Sequence, residues 1–119
     1  MNSMTDSKQS AWCPKYQRTV ELIGRRWTGA ILRALFSGVS RFSDLCVTVP
    51  GLSDRMLAER LKELEMEGIV ERTVIPDTPV RVEYSLTEKG RELESVIVAV
   101  SGWAERWEAT SRRVTASEV

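Results

Sequence analysis

Apolar positions recur at helical spacing from Tyr16 through Val20 to Ile23, which predicts a first helix from Pro14 to about Ile23. Proline favours the first helical position, so Cys13 falls at its N-cap, and Gly24 ends it. A second helix fits Thr28 to about Ser37, with Thr28 as cap, Ile31, Leu32, Leu35 and Phe36 inward, and Gly38 as terminator. Phe42, Leu45, Cys46 and Val49 mark a short third helix, and Pro50-Gly51-Leu52 forces a turn. Ser53 then caps a fourth helix that runs to about Glu67, before Gly68.

Beyond Gly68 the period changes. Val70 to Ile75 and Val80 to Leu86 largely alternate apolar and polar residues, as two strands would, and Pro76-Asp77-Thr78-Pro79 supplies the tip of a hairpin. Thr87 caps a long last helix carrying Leu93, Val96, Ile97, Val100, Trp103, Ala104 and Trp107 on one face. The architecture expected is α+β, mostly α: a winged helix-turn-helix with long terminal dimerisation helices. It occupies residues 12–113, between a disordered polar tail at 1–11 and a flexible end at 114–119.

Composition narrows the chemistry. The chain of 119 residues suits one domain, and its longest apolar run, Val96 to Val100, is far short of a membrane span of about 18 residues. Nothing near Met1 has the apolar stretch of a signal peptide, so a soluble cytoplasmic protein without a membrane partner is expected. There is no histidine, which removes His-based triads, bases and metal ligands. Two cysteines make neither a zinc site nor a disulfide framework, and the seven glycines form no phosphate loop. No metal, cofactor or enzymatic activity is expected. Net charge is zero, yet residues 1–62 hold ten basic and five acidic side chains, and residues 63–119 hold seven and twelve. Such an asymmetry can place a basic surface on one part of the fold, although solvated charge faces also segregate by chance.

Two helices joined by Pro50-Gly51-Leu52 and followed by a hairpin are the parts of a winged helix, the second helix entering a DNA major groove. At about 100° per residue, Leu57, Leu61 and Leu64 share one side of that helix, Arg55, Glu59 and Lys62 the opposite one, and Met56 and Arg60 flank the latter. Arginine can read guanine bidentately and lysine neutralises phosphate, while Ser53 and the free N–H groups at the helix start can grip a phosphate. The angles alone fit a solvated amphipathic helix equally well; the hairpin decides for DNA. In the wing, Arg81 lies near the tip and is assigned to DNA, whereas Arg72 is expected to pair across the strands with Glu83 or another acidic neighbour.

Seven segments then resemble one family: Cys13-Pro14, Gly24-Arg25-Arg26-Trp27-Thr28, Ile31-Leu32-Arg33-Ala34-Leu35, Arg41-Phe42-Ser43-Asp44-Leu45, Gly51-Leu52-Ser53-Asp54-Arg55-Met56-Leu57, Arg60-Leu61-Lys62-Glu63-Leu64 and Arg81-Val82-Glu83-Tyr84-Ser85-Leu86-Thr87. In this order, over about Cys13 to Trp103, they resemble the HxlR bacterial transcription regulators, winged-helix relatives of the MarR group. Arg25 departs from the family, which commonly has a second glycine there. The resemblance implies a homodimer that binds double-stranded DNA at an inverted-repeat operator, usually without a dedicated metal or cofactor; the leading reading is a repressor that blocks promoter access. It also implies that a cysteine before this proline senses oxidants, quinones or aldehydes, so a small-molecule or electrophile effector is expected.

The residues themselves agree with several of these points. The last helix is apolar over more length than one small domain covers, and Trp103 and Trp107 suit a dimer anchor, with Val100 beside them and Tyr16 and Val20 on the first helix. Packing of the two tryptophans on the first helix of their own subunit is the plain alternative. At Cys13 the positive end of the helix dipole, with Lys15 nearby, favours the thiolate, although a capping thiol without a sensing role fits the same residues. Cys46, on an apolar face, reads as a small buried hydrophobe of raised pKa, and an intersubunit disulfide to Cys13 is left open. Two other functions stay in view: a winged-helix protein-interaction module, and a thiol enzyme built on Cys13.

Overall fold

The computed structural model describes residues 11–118, with side chains described to Glu108. The expected tail, apart from Ala11, lies outside that range, and the end expected to be flexible at 114–119 falls where only the backbone course of the last helix is described, to Glu118. The elements are α1 (Pro14–Ile23), α2 (Thr28–Phe36), α3 (Phe42–Thr48), α4 (Asp54–Met66), β1 (Val70–Ile75), β2 (Arg81–Leu86), α5 (Glu88–Arg91) and α6 (Glu94–Glu118).

Helices α2, α3 and α4 enclose the core. Ile31, Leu32, Leu45, Leu57, Leu61 and Leu64 are wholly buried, and Ile69, Val70, Tyr84 and Ile97 close it from the hairpin and α6. Strands β1 and β2 pair antiparallel from Val70↔Leu86 to Ile75↔Arg81. The hairpin is tied back to the helices where Arg41 bridges Glu83 and the Tyr84 N–H donates to the Ser40 carbonyl at 2.8 Å.

Four local expectations are corrected. Thr28 is not a cap: Trp27 takes that position with φ 78°, and Thr28 is buried. A left-handed tryptophan is costly, and what it brings is an indole placed against the α3–α4 turn, where even a Cβ on Gly51 would touch it at 3.4 Å. The last helix does not run unbroken from Thr87. The Thr87 hydroxyl caps only α5, accepting from the Gly90 N–H at 3.0 Å, and the Leu93 N–H bonds three residues back to Gly90 before α6 begins. The second strand starts at Arg81 rather than Val80, and Phe36 is half-buried rather than enclosed.

Candidate nucleic-acid interface

The turn 49–53 sets α4 across α3. Leu52 is buried under it, Gly51 has φ 84°, a conformation glycine adopts freely, and the Ser53 hydroxyl accepts from the Met56 N–H at 3.1 Å. With Leu57, Leu61 and Leu64 wholly buried, the opposite side of α4 is held outward by packing. Arg55, Glu59 and Lys62 are exposed on it, and Ser53 is exposed at its start. The Arg55 side chain is 90% exposed, and its 3.8 Å contact with Glu59 is a loose surface pair that a ligand can displace. Met56 is half-buried against the core.

Arg60 does not belong to this surface. Its guanidinium is buried, the Nε donating to the Arg26 carbonyl at 2.9 Å and one terminal nitrogen reaching Glu63 at 3.3 Å, and Arg25 holds the same carboxylate at 3.2 Å. The expected DNA contact is therefore a tie between α4 and the α1–α2 turn. Position 60 lies only about 60° from Leu57 on the helical wheel, on the shoulder of the leucine side rather than on the charged side. A carbonyl acceptor and a shared carboxylate then make its burial tolerable.

In the wing the ion pairing falls to Arg81 rather than to Arg72. Arg81, near the tip, is held by Asp77 at 3.4 Å and Glu83 at 3.5 Å. Arg72 faces Tyr84 across the ladder, is exposed, and makes no ion pair among the described residues. The pairing with Glu83 expected of Arg72 belongs to its neighbour because Arg81 and Glu83 stand on one face of the same strand, two residues apart.

Cys13 caps α1 as expected, its exposed Sγ accepting from the Tyr16 N–H at 3.4 Å. Cys46 is partly buried, but a polar bond missed in the sequence defines it: the thiol donates to Asp54 Oδ1 at 2.6 Å. That bond, burial and the carboxylate charge push the Cys46 thiol up to about 11. The signal was present as an acidic residue in the first turn after the Ser53 cap, eight positions from Cys46.

Helix α1 buries none of its residues, and Tyr16 and Val20 are exposed. On α6, Ile97 turns into the core, while Val96, Val100, Trp103 and Trp107 stay exposed, the two tryptophans at 53% and 61%. The alternative in which α1 of the same chain covers the tryptophans does not hold. Among the described residues no helix is long and apolar enough to cross a membrane, and no group of three or more Cys, Asp or Glu could hold a metal ion.

A helix-turn-helix with an outward, capped second helix and a following hairpin defines the winged helix-turn-helix class of DNA-binding transcriptional regulator. The chain belongs to the HxlR family: the HxlR-like helix-turn-helix family profile matches residues 22–112. It is 48% identical to the HTH-type transcriptional regulator YvaP of Bacillus subtilis over 99 residues, covering 83% of this chain and 92% of YvaP. The reduced form of the B. subtilis regulator YodB superposes with a TM-score of 0.71 at 48% identity, over 81% of this chain and 94% of that one. The redox regulator HypR in its oxidised form superposes with a TM-score of 0.73 at 39% identity, over 79% and 96%.

Proposed function

We propose that the protein is a homodimeric repressor that binds an inverted-repeat operator through α4 and the wing, and that Cys13 tunes this binding in response to oxidants or electrophiles. The observation that carries the DNA reading is the two-sided α4, with wholly buried leucines behind and Arg55, Glu59 and Lys62 free in front of a Ser53 cap. Arg55 reads base edges, Lys62 and the Ser53 end of the helix hold phosphates, and Glu59 orients Arg55 or accepts from a cytosine amine. Arg81 braces the wing tip for the minor groove, with Arg72 adding exposed charge on the neighbouring strand.

The unburied α1 and the Val96–Val100–Trp103–Trp107 stripe support a dimer, since a contiguous apolar surface of this kind is costly in water. Selection of bound fragments from the source genome tests the operator: enriched fragments should share an inverted repeat with half-sites about 34 Å apart, one DNA turn. Enrichment without any shared motif contradicts the reading.

The sensing part rests on Cys13, an exposed thiol at the start of a helix assigned to the dimer surface. Solved relatives include a quinone-bound and a diamide-treated YodB, so thiol-reactive agents are the appropriate probes. Alkylation or oxidation at Cys13 would remove the cap on the Tyr16 N–H, shift α1 and so change the spacing of the two α4 helices. Cys13→Ser should bind operator like the wild type and lose the response to diamide or quinone; an intact response in Cys13→Ser overturns this assignment.

A further inference from the structure

Apolar packing does little to fix α1 against α4. Helix α1 buries none of its residues and lends the core only half-buried Leu22 and Ile23. A cleft of about 270 Å³ lies between the two helices, with Leu22 and Arg25 on one side and Glu63 and Met66 on the other. Polar groups span it. Arg25 Nη1 reaches Glu63 Oε2 at 3.2 Å, and Arg60 Nη1 reaches the same oxygen at 3.3 Å. The Arg60 Nε donates at 2.9 Å to the Arg26 carbonyl, 34 residues away in the chain. That carbonyl stands directly before the left-handed Trp27, whose indole carries the Arg26 guanidinium at 5.0 Å on its face.

Burial of Leu57, Leu61 and Leu64 is non-directional and leaves α4 able to roll slightly on its leucines. Hydrogen bonds are directional, and Arg60 sits on the shoulder between the buried and the outward side. A roll that broke its bonds would leave a buried charge and a carbonyl unpaired, which is costly. We propose that Arg60 is a positioning residue for DNA reading: with Glu63 and Arg25 it locks α4 to the end of α1 and so sets where Arg55 and Lys62 stand. Because α1 belongs to the proposed dimer surface, the same lock sets the separation of the two α4 helices. The consequence for DNA rests on the function proposed above; the placement of α4 against α1 does not.

The lock is tested first without DNA. Spin labels at Lys15→Cys on α1 and Lys62→Cys on α4, both exposed positions, are introduced in a Cys13→Ser, Cys46→Ser background. Labelled chains are diluted with unlabelled ones, so that only distances within a chain are read. The α1–α4 distance distribution should be single and narrow, and should broaden in Arg25→Gln and in Arg60→Met. Arg25 is half exposed, so its replacement does not put the fold at risk, and Arg25→Lys, which keeps the ion pair, should stay narrow. Operator affinity is then titrated with the half-sites at their selected spacing and one base pair, about 3.4 Å, farther apart. Wild type and Arg25→Lys should lose about tenfold or more on the shifted operator, the scale of one base contact, and Arg25→Gln and Arg60→Met about threefold or less. A purely structural role would lower the urea midpoint and leave this spacing preference as it is. Distributions that stay narrow in both variants overturn the lock. Broadened distributions with an unchanged spacing preference overturn its role in DNA reading, whereas broadened distributions in a protein whose wild type binds no operator overturn the DNA reading instead.

Discussion

Cys46 and Cys13 differ in what their sulfur touches. The Cys46 thiol donates to Asp54, so the hydrogen bond stabilises the protonated form and the adjacent charge penalises the thiolate. With the pKa raised from the ordinary 9.0 to about 11, this pair supports the fold fully below pH 9.0, and that support is lost as pH rises towards 11. Thiolate is the reactive species, so Cys46 should alkylate slowly at neutral pH and speed up only in strong alkali. Asp54→Asn should accelerate its modification by removing the charge. Mass spectrometry of single-cysteine variants across pH checks this, and rapid Cys46 alkylation at pH 7 in the wild type would be inconsistent with the Asp54 bond.

At the scale of elements, the junction of β2, α5 and α6 depends on two residues. Thr87 accepts from the Gly90 N–H and donates to the carbonyl of Gly68, joining the α5 cap to the end of α4. Thr87→Ala should cost about 1 kcal/mol, the usual value of a cap. Gly90 sits so close to the Ile69 carbonyl that any Cβ collides with backbone, so Gly90→Ala should cost about 1–3 kcal/mol, as overpacking does. Urea midpoints order the two variants, and a neutral Gly90→Ala would show that the junction is looser than described. Most of this architecture was legible beforehand, because α1, α4 and the strands have clear periods and Cys13, Ser53 and Thr87 are good caps. What escaped depends on tertiary partners. Trp27, not Thr28, holds the cap position with its indole near Gly51, and the short α5 that holds Gly90 against the Ile69 carbonyl ends before α6 begins. Likewise, Arg60, Arg81 and Cys46 are defined by acceptors that no local spacing reveals: the Arg26 carbonyl, the Asp77–Glu83 pair and Asp54.

For the whole molecule, the unpartnered faces of α1 and α6 and the outward face of α4 belong to one account, in which dimerisation fixes two α4 helices at operator spacing. Trp103→Glu places a charge in the stripe and should give monomers in sedimentation that have lost tight operator binding, while a wild type that sediments as a monomer at micromolar concentration contradicts the dimer. The most direct test of DNA reading by α4 is a fluorescence-anisotropy titration of a selected operator, at fixed salt, with wild type and Arg55→Ala. Because Arg55 is almost fully exposed and supports no core contact, its loss leaves the fold intact. Loss of about 1–3 kcal/mol in affinity, together with weaker discrimination against a mutated half-site, is the predicted result. Unchanged affinity and unchanged discrimination would contradict it.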